Sequence, residues 1–209
     1  MNEVSAATPA LIAATALECK ALRREVPHAR VVQTGIALAD LREELGEVVV
    51  SCGLAGGLRP DLSTGTVVIP REVCRPGGDV VSCDEELVEL FAASARRLGV
   101  EPVFDPLVTT DRIVQGAERA QWAARGYAAV DMETGLLHAP RVAAVRVILD
   151  TPQREISKDW RTPILAILKP WNWPQAMWLA REAPRAATLA ARVVAGAQGI
   201  GARLQILRE

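Results

Sequence analysis

The fold is decided by the stretch Tyr127–Asp150, which reads YAAVDMETGLLHAPRVAAVRVILD. It holds two short apolar runs, Ala128–Val130 and Val142–Leu149, and an acidic residue follows each of them. Short β-rich apolar runs that end at polar residues predict buried strands. The segment between them, Thr134–Ala139, is long enough for a helical turn or a short helix, which Pro140 would stop. The stretch therefore predicts two strands of one core, joined by a helical turn.

Acidic side chains stand where both of these strands end. Asp131 and Glu133 follow the first strand, and Asp150 follows the second. Ligands of open α/β sheets bind at the carboxyl ends of the strands, so these carboxylates are candidates for a binding site. A structural interpretation explains the first pair equally well. In it, Asp131 caps a helix and Glu133 lies in the first turn, where the helix dipole favours an acid.

The rest of the chain alternates between predicted strands and helices. The strands are predicted at Ala10–Ala16, Arg30–Thr34, Glu47–Cys52, Thr66–Pro70 and Val103–Thr109. The helices are predicted at Leu17–Leu22, Leu38–Leu45, Asp84–Leu98, Glu118–Arg125 and Pro174–Gly196, the last with core positions at Met177, Trp178, Ala180, Leu189 and Val193. Polar loops are predicted at Arg71–Asp79 and Thr151–Thr162. This alternation predicts an α/β sheet covered by helices on both faces.

The composition limits the classes of protein to which the chain can belong. The chain has 209 residues, half of them hydrophobic, which predicts a single domain over residues 1–209 with a full core. A net charge of −1 provides no basic excess for binding nucleic acid. Only two histidines are present, which argues against a His-rich metal site, and we expect neither a metal nor an organic cofactor.

The expected compartment is the cytoplasm. Four cysteines contain no C-x-x-C pair and fit buried or free thiols in a reducing environment. The sequence shows no basic stretch of the kind that opens a signal peptide, and no run of about 18 apolar residues that would span a membrane.

Two features near the start of the chain add candidates. Glu18 falls at a predicted strand-to-helix junction, as the other candidate acids do. The segment Gly53–Leu58 (GLAGGL) follows a β-branched strand, and a glycine loop there could bring bare N–H groups close to a ligand. Its spacing matches neither a dinucleotide-binding motif nor a P-loop. A plain tight turn explains it equally well.

The C-terminal segment, residues 160–209, is rich in tryptophan. Four of the five tryptophans lie between Trp160 and Trp178. Indoles suit half-wet positions, so they could pack the last helix on the body or across a dimer. A hydrophobic substrate or peripheral contact with the inner membrane is the other interpretation.

Seven segments, taken in order, resemble the nucleoside phosphorylase and nucleosidase superfamily. They are Ala16–Leu22, Gln33–Ile36, Cys52–Leu58, Thr66–Ile69, Thr110–Ile113, Val130–Glu133 and Arg146–Asp150. The resemblance implies a three-layer αβα sandwich around a mixed, mostly parallel twisted sheet. It also implies cleavage of the N-glycosidic bond of a nucleoside, and a homodimer or higher homo-oligomer.

The resemblance assigns roles to the candidate residues. Asp150 matches the aspartate that donates a proton or hydrogen bond to purine N7, and burial would have to raise its pKa for this. Glu133 matches the glutamate that binds the ribose hydroxyls. Met132 would lie against the ribose, although core packing is the alternative. Asp131 belongs to the same substrate-binding motif.

The resemblance leaves the nucleophile open between water and phosphate. Glu18 matches the glutamate that orients the attacking water, and the absence of glycine from Thr15–Glu18 favours water. Gly53, Ala55 and Gly56 would form the wall that meets water, phosphate or sugar. Arg112 would contact an anion or form a surface salt bridge. Inorganic phosphate is the alternative co-substrate. One departure is Leu149, where related nucleosidases usually carry serine before the aspartate.

The tail is similar to that of a narrower group, the hopanoid-associated phosphorylases, through Lys169–Ala176 and Leu179–Arg181. This similarity implies release of adenine from adenosylhopane, a lipid-linked nucleoside. The alternatives are a nucleosidase for methylthioadenosine, adenosylhomocysteine or futalosine, a nucleoside-binding protein without catalysis, and a peripheral membrane or scaffold protein built around the tail.

Overall fold

A computed structural model describes residues 9–157 and 170–206 of the chain. Nine strands form one sheet: β1 Ala10–Ala13, β2 Arg30–Gln33, β3 Val48–Gly57, β4 Val67–Val68, β5 Glu72–Cys74, β6 Val80–Ser82, β7 Leu107–Thr109, β8 Ala129–Asp131 and β9 Arg141–Asp150. The helices are α1 Ala16–Glu25, α2 Glu85–Arg97, α3 Gly116–Ala124 and α4 Trp173–Ile206. Single 3₁₀ turns lie at Ile36–Leu38, Thr134–Leu136 and Pro170–Asn172.

The sheet is mixed and mostly parallel. Its order is β2-β1-β3-β8-β7-β5-β6, while β9 runs parallel to β3 along nearly its whole length and pairs on its other edge with β4. The neighbours β1–β2, β1–β3, β5–β7 and β7–β8 are parallel, whereas β3–β8, β4–β9 and β5–β6 are antiparallel. The predicted α/β fold with a mixed, mostly parallel sheet is confirmed.

The two strands predicted from Tyr127–Asp150 are the strands that position the site. β9 is buried along Ala143–Asp150, as expected for a strand covered on both faces. β8 ends at Asp131 and is likewise buried. Parallel pairing of β3 with β9 brings Gly56 beside Asp150, so the carboxyl ends of these strands lie together.

Several predicted elements are wrong in detail. Leu38–Leu45 is not a helix, because Ala37 and Leu38 adopt left-handed φ angles of 54° and 58° and the following residues run irregularly toward β3. Leu38, Leu41 and Leu45 nevertheless pack against a buried cluster, which accounts for their spacing. The predicted loop Arg71–Asp79 contains β5, which forms a hairpin with β6.

The strands predicted at Thr66–Pro70 and Val103–Thr109 are shorter than expected, as β4 and β7 show. The segment Gly53–Leu58 is not a loop but the continuation of β3 to Gly57. The strand packs closely there, since a Cβ on Gly57 would lie only 3.0 Å from the side chain of Ile148.

Helix α4 is mostly exposed near its start, and its buried positions lie between Ala186 and Ala197. Met177 is 75% exposed and Ala180 is also exposed, so these two predicted core positions are wrong. Val193 is fully buried in the main core, and Leu189 packs against the same cluster. Trp178 is half-buried, with the Arg154 guanidinium 4.3 Å from the centre of its ring. Trp160 lies outside the described residues.

Candidate active site

A cavity of about 260 Å³ opens where β1, β3, β8 and β9 end. Most pockets that hold small molecules begin at roughly 300 Å³, so this cavity suits a small ligand with any larger group projecting outward. Ile36 lines the cavity and is 51% exposed, which marks the open side. The cavity is lined by Ala14, Thr15, Glu18, Ile36, Leu54, Ala55, Gly56, Arg112, Ile113, Val114, Arg119, Val130, Asp131, Met132, Glu133, Leu149, Asp150 and Ile156.

Glu18 reaches the cavity from the first turn of α1. It forms a capping box with Thr15. The Thr15 hydroxyl oxygen accepts a hydrogen bond from the Glu18 N–H at 3.3 Å. In return, Glu18 Oε2 accepts hydrogen bonds from the Thr15 N–H at 2.9 Å and from the Thr15 hydroxyl at 2.6 Å. Its other oxygen, Oε1, accepts from the Leu54 N–H at 2.8 Å. The carboxylate is therefore fixed between α1 and β3, at 5% exposure.

Gly53 does not line the cavity, contrary to prediction, but it makes room for Glu18. A Cβ on Gly53 would lie 2.2 Å from Glu18 Oε1 and 2.9 Å from Arg146 Nη1. Only glycine permits both groups to approach the strand so closely. Ala55 and Gly56 do line the cavity, and a Cβ on Gly56 would lie 3.1 Å from Asp150 Oδ1.

Glu133 lies in a buried network of charges around Arg146. Arg146 Nη2 lies 3.4 Å from Glu133 Oε2, and the Ala37 N–H donates to Glu133 Oε1 at 3.3 Å. Burial is the main cause that raises the pKa of Glu133 to about 7; the charge of Arg146 opposes this rise, and the neighbouring Asp131 carboxylate adds to it. Glu133 thus reaches the cavity as a carboxylate that protonates near neutrality.

The Asp131 carboxylate is directed away from the cavity, so the prediction that it binds substrate is not supported. Its side chain has no exposed surface, and only its backbone can contribute to the lining. Oδ2 pairs with Arg146 Nη2 at 2.6 Å and accepts from the backbone N–H of Thr134 at 3.1 Å, and Oδ1 accepts from the Thr109 hydroxyl at 2.6 Å. Asp131 therefore compensates the buried charge of Arg146.

Asp150, at the end of β9, is held by an arginine from α3. Arg119 Nη2 donates to Asp150 Oδ2 at 2.5 Å, and both side chains are almost fully buried. The Ile156 N–H donates to the same oxygen at 3.4 Å. Burial raises the pKa of Asp150, and the charge of Arg119 opposes that rise.

The remaining predicted residues differ in their surroundings. Met132 lines the cavity at intermediate burial, so it is available to a ligand and is not a core residue. Arg112 also lines the cavity, but its guanidinium pairs with Glu118 at 2.7 Å and with Asp111 at 3.3 Å. The salt-bridge interpretation of Arg112 is the one that the geometry supports.

Two arginines of the site were not predicted. Arg146 had a signal in the sequence, because it interrupts the apolar run Val142–Leu149, and a lone charge in a buried strand demands buried partners. Arg119 had none, because it lies in a polar segment that predicts a solvated helix. Within residues 9–157 and 170–206, no cluster of three His, Cys, Asp or Glu side chains could hold a metal ion. In the same ranges, no helix is long and apolar enough to cross a membrane.

The fold and site define an α/β protein with a small-molecule cavity at the strand ends, lined by separate carboxylates. The family model of the phosphorylase superfamily matches residues 26–162, and the chain belongs to this superfamily. No protein of curated function matches it in sequence.

Solved structures share the fold. A mutant of the 5′-methylthioadenosine nucleosidase (MTAN) of Helicobacter pylori, with 5′-methylthioadenosine in the active site, has a TM-score of 0.67 at 12% identity, over 92% of this chain and 98% of that one. The futalosine hydrolase of the same organism has a TM-score of 0.67 at 13% identity, over 91% and 96%. The 5′-methylthioadenosine/S-adenosylhomocysteine nucleosidase of Neisseria meningitidis, in complex with methylthio-immucillin-A, has a TM-score of 0.66 at 21% identity, over 90% and 96%.

Proposed function

We propose that this protein hydrolyses the N-glycosidic bond of a purine nucleoside and releases adenine. The observation that carries the proposal is the meeting of Glu18, Glu133 and Asp150, from three separate elements, on one small cavity. Each carboxylate suits one need of the reaction: activation of the nucleophile, binding of the ribose and protonation of the base.

In the proposed reaction, the C1′–N9 bond breaks and its electron pair passes to the purine. Asp150 gives its proton to N7, so the base leaves as neutral adenine. The oxygen of a water molecule bonds to C1′, and the proton that this water loses passes to Glu18. Glu133 in its ionised form accepts hydrogen bonds from the ribose hydroxyls and favours the positive charge that develops on the sugar.

Water is favoured over phosphate by the charges around the cavity. Among residues 9–157 and 170–206, the arginines that line it are Arg112 and Arg119, and each is already paired with a carboxylate. Arg146 is 1% exposed and pairs with two carboxylates. A phosphate dianion would need a cation with charge to spare, and it would meet the carboxylate of Glu18.

The substrate that we favour carries an apolar 5′ substituent, and adenosylhopane is the particular candidate because of the resemblance of the tail. In support, the cavity is open beside the exposed side chain of Ile36, and a cavity of about 260 Å³ would hold the nucleoside while a bulky lipid projects outward. The alternative is a small nucleoside such as methylthioadenosine, adenosylhomocysteine or futalosine, which the relatives of the same fold favour.

The test is the release of adenine from adenosine, methylthioadenosine and a hopanoid-linked adenosine, measured by chromatography with wild type and Asp150→Asn. We expect release by wild type and loss of at least a hundredfold in the variant, with nucleoside binding retained. The ratio of kcat/KM between the lipid-linked and small nucleosides decides the substrate. Equal inactivity of both proteins on every nucleoside, with binding intact, would instead indicate a nucleoside-binding protein.

A further inference from the structure

We propose that Arg119 is a positioning residue that holds Asp150 by one carboxylate oxygen and leaves the other for the purine. The inference rests on the proposed function for its chemistry, but on separate contacts for its evidence. The residue before Asp150 is Leu149, whose side chain cannot donate a hydrogen bond. Support for the carboxylate must therefore come from elsewhere in the fold, and α3 supplies it.

The guanidinium of Arg119 is built into the end of the sheet. Its Nη1 donates to the Gly57 carbonyl at 2.6 Å, and its Nη2 donates to the Val114 carbonyl at 3.1 Å and to Asp150 Oδ2 at 2.5 Å. Arg119 as a whole is 1% exposed. A guanidinium fixed on two carbonyls from separate parts of the chain is a rigid anchor, so the Asp150 carboxylate has little freedom to rotate.

The two oxygens of Asp150 have different surroundings. Oδ2 accepts from Arg119 and, at 3.4 Å, from the Ile156 N–H. Oδ1 lies beside Gly56, where a Cβ would be 3.1 Å away, and Gly56 lines the cavity. Because Oδ2 is committed to the ion pair, Oδ1 is the oxygen that carries the proton to the base.

A second carboxylate shares the charge of Arg119. Glu155 Oε1 lies 3.4 Å from Arg119 Nε and also accepts from the Gly116 N–H at 2.6 Å. Arg119 thus stands between Asp150 and Glu155, and each carboxylate weakens the hold of the arginine on the other. In the part of the chain that the structure describes, the other charged side chains that line the cavity around Asp150 are Glu18, Arg112 and Glu133.

This arrangement predicts opposite effects for two substitutions. Arg119→Met removes the positive charge, so the ionised form of Asp150 loses support and its titration moves to higher pH, by about one pH unit or more. Glu155→Gln keeps an acceptor for the Gly116 N–H but removes the competing negative charge. Arg119 then acts on Asp150 alone, so the titration of Asp150 moves to lower pH.

The experiment measures two quantities on each full-length variant. One is the chemical shift of the Asp150 carboxyl carbon as a function of pH, measured by NMR in protein labelled at aspartate. The signal is assigned by its loss in Asp150→Asn. The other is the pH profile of kcat for adenine release, whose alkaline limb falls as Asp150 loses its proton. Arg96→Met is the matched control, because Arg96 pairs with Glu101 on the exposed side of α2. Arg119→Lys, which keeps the charge but not the fork of donors, is the milder variant.

We expect the alkaline limb and the NMR titration to move together: upward in Arg119→Met, upward by less in Arg119→Lys, downward in Glu155→Gln, and not at all in the control. In Arg119→Met the plateau of kcat should also fall at least tenfold, since the carboxylate is no longer aligned. If Arg119→Met does not fold, the movements of the Asp150 titration in Arg119→Lys and Glu155→Gln test the inference.

An unchanged Asp150 titration in folded Arg119 variants, or an upward movement in Glu155→Gln, would overturn the inference. Absence of purine release from wild type, with the NMR titrations moving as expected, would overturn the proposed reaction and leave the role of Arg119 in holding the carboxylate established. The two failures are therefore distinguishable.

Discussion

A single methyl group added at Gly53 should disable the site without entering the cavity. Gly53 lies in the middle of β3, and it is absent from the cavity lining. In Gly53→Ala the new Cβ would lie 2.2 Å from Glu18 Oε1. A carbon and a non-bonded oxygen stay at least about 3.3 Å apart. The carboxylate must therefore withdraw by about 1 Å, and it must give up its hydrogen bond from the Leu54 N–H at 2.8 Å.

A misplacement of about 1 Å at a group that orients the nucleophile costs on the order of a hundredfold in rate. We expect kcat for adenine release to fall by about that factor. The assay is the initial rate at saturating nucleoside, together with thermal unfolding to count the folded fraction.

Gly196→Ala is the matched control for this substitution. Its Cβ would also lie 2.2 Å from a side-chain oxygen, the hydroxyl of Ser94, but the contact joins α4 to α2 away from the cavity. It should lower the melting temperature and leave kcat per folded molecule unchanged. A wild-type kcat in Gly53→Ala, or an equal loss in Gly196→Ala, would refute the claim that Gly53 exists to seat Glu18.

Three further predictions concern charge and packing. Asp150→Asn should destabilise the fold by about 3 kcal/mol, since it leaves Arg119 buried without its counter-charge, and adding Arg119→Met should recover most of that loss in denaturant unfolding. Glu133 has a pKa of about 7 in the folded protein against an ordinary value of 4.5, so it binds its proton more tightly when folded, and its contribution to stability is present below pH 4.5 and is lost as the pH rises to 7. Glu133→Gln should therefore flatten this fall in the free energy of unfolding, and an unchanged slope would contradict the raised pKa of Glu133. Val193→Ala should cost about 2 kcal/mol and Met177→Ala less than about 0.5 kcal/mol, and equal costs would contradict the difference in burial between these two positions of α4.

The sequence predicts most of the sheet because most of its strands are marked by short apolar runs. β9 is the clearest case, and its acid at the strand end points directly to the cavity. Leu38–Leu45 shows where such reasoning fails: its apolar spacing reflects contact with the core, but left-handed residues at Ala37 and Leu38 rule out a helix. Periodicity reports which side chains are buried, and it does not report the backbone angles.

Some residues of the site could also be predicted from the sequence, and others could not. Glu18, Glu133 and Asp150 could be predicted because polar residues at strand ends face the ligand edge of an α/β sheet. The sequence places Gly53 either in a ligand-binding loop or in a tight turn, because glycine serves both positive φ and close packing and the sequence alone does not separate these two uses. Arg119 could not be predicted, because its burial depends on the packing of α3 against the end of β9, across a long separation in sequence.

Incorporation of oxygen from labelled water is the most direct measurement of the central claim, that three carboxylates meet to let water cleave a purine nucleoside. The protein is incubated with nucleoside and inorganic phosphate in ¹⁸O-water, and the sugar product is trapped by reduction before it exchanges and is then analysed by mass spectrometry. We expect free adenine and a sugar that carries one heavy oxygen at C1′. A sugar 1-phosphate without the label, or no adenine at all, would contradict it.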